Sequence, residues 1–280
     1  MKNWFITGAS RGFGALFVKE ALERGDNVAA SARHPQSLVE TFGERSNLLP
    51  VKLDVTDENQ VCEAVNLAAA RFGRLDVLVN NAGFGMLGAI EEISSAEVEA
   101  IYRTNVFGLL AVTRAVLPQL RRQRAGHIIN MSSIGGYQSH AAWGVYASTK
   151  FAVEAISEAL AMELKPLGIK VTIVEPGYFR TDFLDKSSLI TTSTVIDDYA
   201  ETVGKIRKLA VSLNHQQPGD PARLAKALLT IVDQASPPLR MPFGSDTVAC
   251  IEAKNAFVAE EIRMWRELAV STDFPTTARK

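Results

Sequence analysis

The sequence is short of metal ligands and of charge in one sign. Its 280 residues include only four histidines and two cysteines. His34, His127, His140 and His215 are scattered without the paired spacing a metal ion needs, so no metal is expected. Each reads as a surface or satisfied polar residue. Cys62 and Cys250 leave one disulfide open, but both fall in helical patterns and read as two buried or partly buried thiols of a reducing compartment. Lys and Arg number 30 against 31 Asp and Glu, a net charge of −1. That is no footprint for nucleic acid. The one basic run, Arg121-Arg122-Gln123-Arg124, suits a helix end, where cations meet the dipole and solvent. No apolar run reaches the ~18 residues of a membrane-crossing helix. Met1 stands almost directly before the first apolar run, leaving no room for a signal peptide. Low-complexity tracts are missing too. A cytoplasmic protein of one large domain is expected.

What is there is an alternation. Apolar, branched runs at residues 4–7, 27–31, 48–53, 75–80, 127–131 and 169–175 read as strands covered on both faces, as in a parallel sheet. Helical patterns lie between them. One covers residues 57–72, with Thr56 as its N-cap; another opens at Asp220-Pro221. Short links between β and α imply a single-domain, Rossmann-like α/β fold: a doubly wound parallel sheet with helices on both faces. Ligands then bind beyond the carboxyl ends of the strands, where Gly8, Asn81, Ser133 and Pro176 gather. Residues 183–217, rich in Ser and Thr, break the alternation and read as a mobile substrate lid. Residues 246–280 form a C-terminal helical extension, helical from about 247 to 268.

Thr7-Gly8-Ala9-Ser10-Arg11-Gly12-Phe13-Gly14 joins the first strand to the first helix. Such a turn lets the backbone approach a diphosphate, and the helix end offers free N–H groups. The spacing is Gly-x-x-x-Gly-x-Gly, unlike the commonest dinucleotide fingerprint. Further on, Tyr146 and Lys150 stand at i and i+4 and share a helix face. A nearby ammonium favours the phenolate, by roughly 1–3 pH units where the site is partly desolvated, which would let the tyrosine pass protons near neutral pH. Asn80-Asn81-Ala82-Gly83 follows a strand, Asn105 sits in a helical segment at 102–116, and Ser132-Ser133 ends another strand, Ser133 thirteen residues before Tyr146. In this order and at these intervals the chain resembles a short-chain dehydrogenase/reductase over residues 2–245.

That resemblance implies a catalytic group of Asn105, Ser133, Tyr146 and Lys150. Ser133 would hold the substrate oxygen and Tyr146 exchange a proton with it. Lys150 would lower the Tyr146 pKa and grip a nicotinamide ribose, and Asn105 would hold a water of the proton relay. The glycine turn (Gly8, Ser10, Arg11, Gly12, Phe13, Gly14) would bind the dinucleotide. Asp54 and Val55 would touch its adenine, Asn81, Ala82 and Gly83 its adenosine ribose side, and Pro176, Gly177 and Thr181 its nicotinamide end. The second strand ends on Ala32-Arg33 in place of an acidic residue. Arg33 and Arg11 would converge on a 2′-phosphate, so the cofactor is expected to be NADP. Phe84, Met86, Tyr137, Trp143, Tyr178 and Phe183 would line a pocket for a lipophilic ketone, aldehyde or alcohol. The ending resembles the hydroxysteroid and retinol dehydrogenase branch, and a homodimer or homotetramer is implied. Two alternatives stay open: an oxidative alcohol dehydrogenase and a catalytically idle dinucleotide-binding regulator.

Overall fold

The computed structural model describes residues 1–274. Its main sheet is built from β1 (Asn3–Ile6), β2 (Asn27–Ala32), β3 (Leu48–Lys52), β4 (Val77–Asn80), β6 (Gly126–Met131), β7 (Ile169–Pro176) and β9 (Arg240–Phe243). They lie in the order β3-β2-β1-β4-β6-β7-β9, and every pairing is parallel. A second, two-stranded parallel sheet joins β5 (Gly85–Leu87) to β8 (Leu189–Thr191).

Alternation along β1 shows why the sheet needs helices on both faces. Trp4 and Ile6 point into one apolar cluster with Phe17, Val18 and Leu228. These come from α1 (Gly12–Glu23) and α8 (Pro221–Val232). Phe5 points the other way, to Val61 and Val65 of α3 (Glu58–Phe72) and Val112 and Val116 of α5 (Leu109–Gln123). Successive strand side chains alternate between faces, so a strand buried on both sides cannot carry a polar face. The cap of α3 differs from expectation. Asp57, not Thr56, accepts the Asn59 and Gln60 N–H groups, because a carboxylate at that position reaches two orphan donors at once. Asp220 caps α8 with Pro221 behind it, as its spacing implies.

The remaining helices are α2 (Gln36–Phe42), α4 (Ser95–Tyr102), α6 (Gly144–Leu164), α7 (Lys205–Leu213) and α9 (Ser245–Val270). Residues 183–217 are tied down rather than loosely draped. β8 of this excursion pairs with β5, and buried Glu92 accepts from the Ile196 N–H at 2.9 Å and from both ends of the Arg207 guanidinium. Burial works against the Glu92 carboxylate, yet Arg207 and two backbone N–H groups hold its pKa below the usual range. Of the C-terminal extension, α9 begins against the sheet, where Asp246 accepts the Tyr178 N–H at 2.7 Å. Its outer half is exposed on every side. The last six positions of the extension lie outside the described residues. No described helix is long and apolar enough to cross a membrane.

Candidate active site

A cavity of about 660 Å³ opens at the carboxyl ends of the strands. Its floor begins at the β1–α1 turn. Gly8 has φ +63° and Gly12 φ +56°, which side chains rarely adopt. A Cβ on Gly14 would stand 2.3 Å from the Gly8 carbonyl oxygen. Gly14 is therefore the packing glycine and lies behind the wall, whereas Gly8, Ser10, Arg11, Gly12 and Phe13 line it. No side chain caps α1, so its first N–H groups face the cavity with the positive dipole end behind them. Asn81 fixes the turn by donating to the Thr7 and Gly8 carbonyls at 3.0 Å each. The Thr7 hydroxyl in turn accepts the Asn81 and Ala82 N–H groups.

Further along, Ala32 and Arg33 close β2, Asp54 and Val55 follow β3, and Ala82, Gly83 and Phe84 follow β4; all reach the cavity. Gln217 reaches it too, 1% exposed and with both amide ends lacking a partner. A buried amide of this kind has uncompensated hydrogen-bonding capacity. Positive-φ glycines, an uncapped helix end and an orphaned amide along one elongated cavity fit a dinucleotide. Both arginines line the cavity. Arg33 stands at the cavity rim, while the Arg11 guanidinium reaches across to the Ser187 carbonyl of the excursion.

The opposite end holds the hydroxyls. Ser133 ends the β6 segment, and its oxygen accepts the Gly135 N–H at 3.0 Å, which leaves its own proton free to donate. Tyr146 and Lys150 lie on α6 and line the cavity. The Tyr146 ring packs edge-on to Trp143 at 5.7 Å and tilted to Phe183 at 5.6 Å. Burial pushes its pKa up to about 12, with the Ser133 hydroxyl pulling the other way. This is opposite to the lowering expected from the i,i+4 spacing, and burial is the cause. The Lys150 ammonium donates to the Met131 carbonyl at 2.8 Å and stands 5.8 Å from the Tyr146 ring centre. Burial also draws Lys150 down to about 8, opposed by the charge of Glu154.

Asn105 lies in a π-helical turn, Arg103–Gly108, between α4 and α5. Its two amide hydrogens go to the Phe84 carbonyl at 3.0 Å and the Thr149 hydroxyl at 3.2 Å, and its oxygen accepts the Phe84 N–H at 3.1 Å. Neither N–H remains for a water, and Asn105 sits behind the cavity wall. It holds Phe84 and α6 together. Beyond β7, Pro176, Gly177, Tyr178 and Thr181 line the cavity, as do Trp143 and Phe183. Two expected pocket residues are elsewhere. Met86 is buried in the cluster of Ile93, Ile101 and Val145, because β5 is covered on both sides. Tyr137 turns its hydroxyl to Asn255 of α9.

His140, six residues before Tyr146, edges the cavity, as its position allows, whereas Gln217 and Thr104 line it without any sequence signal. Glu154, buried behind Lys150 and not on the cavity wall, did have one, a further i+4 step beyond Lys150. Both cysteines are free, and Cys62 is exposed, not buried. One potential metal-ligating group exists among the described residues, Asp182, Asp185 and His215. It is an exposed ion pair at 3.2 Å between His215 and Asp185 with a second carboxylate beside it.

Comparisons with known proteins agree with this geometry. The family model "short chain dehydrogenase" matches residues 2–189. A 3-ketodihydrosphingosine reductase of Bacteroides thetaiotaomicron is 40% identical over 240 residues, covering 85% of this chain and 86% of that protein. The crystal structure of a short-chain dehydrogenase from Streptomyces avermitilis superposes with a TM-score of 0.89 at 39% identity, covering 98% of this chain and 100% of the other. ElxO, solved with NADP bound, superposes at 0.73 with 27% identity over 89% of this chain and 99% of its own. With the family model matched over residues 2–189 and a relative 40% identical over 85% of its length, the chain belongs to the short-chain dehydrogenase family of oxidoreductases.

Proposed function

We propose that this chain uses NADP(H) to interconvert a lipophilic ketone or aldehyde and its alcohol, with Tyr146 as general acid and base. The observation that carries the reading is the pairing of two hydroxyls, Ser133 and Tyr146, in the cavity that the glycine turn opens into. When bound, the nicotinamide dinucleotide supplies or accepts the hydride. Ser133, its lone pair occupied by Gly135, donates its hydrogen to the substrate oxygen. Tyr146 holds its proton at neutral pH in this environment, so that proton is available to a carbonyl oxygen as the hydride arrives and is taken back in the reverse reaction. Lys150 places a positive charge beside the phenol that has lost its proton.

NADP over NAD is supported by Arg33 at the cavity rim, by the lack of an acidic residue at the end of β2, and by NADP in the ElxO neighbour. A lipophilic substrate is supported by Trp143, Phe183 and Tyr146 packed around one end and by the name of the Bacteroides relative, a 3-ketodihydrosphingosine reductase. The test is NADPH oxidation over a series of ketones of growing chain length, set beside small keto acids. Each buried methylene should add about 0.8 kcal/mol, roughly fourfold in kcat/KM, until the cavity is filled. A preference for the small charged acids overturns the lipophilic reading. No turnover in either direction favours the idle regulator.

A further inference from the structure

Behind Lys150 the structure buries two carboxyl groups that the chemistry above does not use. Tyr146, Lys150, Glu154 and Glu158 follow one another at i+4 steps along α6 and so share a face. Glu154 is 6% exposed, and Glu175, at the end of β7, is 0% exposed. Burial and the neighbouring Glu154 charge push Glu175 up to about 8, and burial raises Glu154 as well. One guanidinium serves both: Arg240 of β9 donates to Glu154 at 3.1 Å and lies 3.6 Å from Glu175, with its outer end on Glu158. Even so, Glu154 Oε1, both Glu175 oxygens and the Ser132 hydroxyl have no hydrogen-bond partner. A Cβ on Gly136 would stand 2.3 Å from Ser132 Oγ and 3.0 Å from Glu154 Oε1, so those oxygens face one another across the glycine. Ser132 follows Met131, whose carbonyl holds Lys150, and it lines the cavity.

Two adjacent buried carboxylates whose one bonded cation, Arg240, is itself partly exposed, and whose other oxygens have no partner, are costly to keep ionised together, even with Lys150 one helical turn away. A proton between them satisfies oxygens that otherwise have no donor and leaves one negative charge next to Lys150. We propose that Glu154 and Glu175 share one proton at neutral pH and act as positioning residues that keep Lys150 charged, with Arg240 stabilising the remaining negative charge. The groups facing the pair are Lys150 and Glu158 on its own helix, Ser132 beyond β6 and Arg240 on β9. The function of this device rests on the proposed reaction, but the shared proton does not.

The test therefore begins without substrate. In the infrared, the protein at pH 7 should show the carbonyl band of a neutral carboxyl group, and Glu175→Gln should remove it. That variant exchanges a neutral acid for a neutral amide, so the fold should be kept. Carbon NMR of labelled lysine, assigned with Lys150→Met, should then show Lys150 losing its proton at lower pH in Glu154→Gln. The alkaline limb of kcat should move with it by about one pH unit, tenfold in activity at a fixed pH on that limb. No neutral-carboxyl band in the wild type, or a band that survives Glu175→Gln, overturns the shared proton. An unmoved Lys150 titration overturns the link to catalysis. Should Glu154→Gln not fold, Glu154→Gln/Arg240→Met removes the stranded cation and takes its place. Because the infrared and NMR arms need no turnover, failure of the oxidoreductase reading leaves them intact.

Discussion

Lys150 is held in its buried position at a cost to the fold, and the cost can be measured. Its ordinary pKa of 10.5 falls to about 8 in the folded chain, chiefly through burial. At about 1.36 kcal/mol per pH unit, that difference amounts to roughly 3 kcal/mol against folding whenever the amine is charged. Replacing Lys150 with Met keeps the stem and removes the charge. The variant loses one hydrogen bond to the Met131 carbonyl, worth about 1–2 kcal/mol. A net gain of ~1–2 kcal/mol at pH 7 is left, together with a severe loss of turnover. The gain has a signature in pH. Between 8 and 10.5 the unfolded chain holds a proton on this lysine that the folded chain has released, so wild-type stability rises with pH there. The advantage of the variant should therefore shrink steadily from pH 8 to 10. Urea titrations of both proteins at pH 7, 8.5 and 10 measure this directly. A variant less stable than wild type at pH 7, or an advantage that does not change with pH, refutes the reasoning.

Tyr146→Phe keeps the ring between Trp143 and Phe183 and removes the proton; kcat should drop by ~10²–10⁴-fold while NADPH binding, followed by fluorescence, is unchanged. Arg33→Asp should weaken NADPH by at least ~10-fold and strengthen NADH, read as two kcat/KM values, and equal use of both nucleotides by the unaltered protein contradicts the assignment. Arg207→Met strands Glu92, which is 2% exposed, and should cost about 3–5 kcal/mol in urea unfolding. It should also speed protease cleavage within residues 183–217, and a loss below ~1 kcal/mol would mean the ion pair does not anchor that segment.

Much of this was legible because it rests on backbone periodicity. β1, β2, β3, β4, β6 and β7 announce themselves as continuous apolar runs, since a strand covered on both faces has no choice of composition. β9 does not, because its residues Arg240–Phe243 carry an arginine and a proline, as an edge strand may. β5 and β8 are three residues each, too short for any period to show. Spacing placed Tyr146 beside Lys150 but gave the opposite direction for its pKa, because local i,i+4 geometry says nothing about how deeply tertiary packing will bury both groups. Tyr137 and Met86 were assigned to the pocket for their chemistry, yet which way a side chain turns depends on α9 and on β8, more than fifty residues away. His127 reads from sequence as a surface or satisfied polar residue, and the structure gives the second. The imidazole is buried against the Thr172 hydroxyl at 2.9 Å, and burial takes its pKa down to about 3.

Asp246 receives the Tyr178 N–H, and Arg240 holds the paired glutamates behind Lys150. All four residues of the expected catalytic group lie before position 151, but the groups that shape the wall behind them come from the last fifth of the chain. During synthesis the ribosome therefore delivers the reacting side chains long before their support. A nascent chain released short of residue 240 would carry the catalytic motifs of the family with Glu154 and Glu175 deprived of the Arg240 guanidinium. A truncated product of that kind should be sought among aggregates, and motif content alone is a poor guide to whether a fragment of this protein is competent.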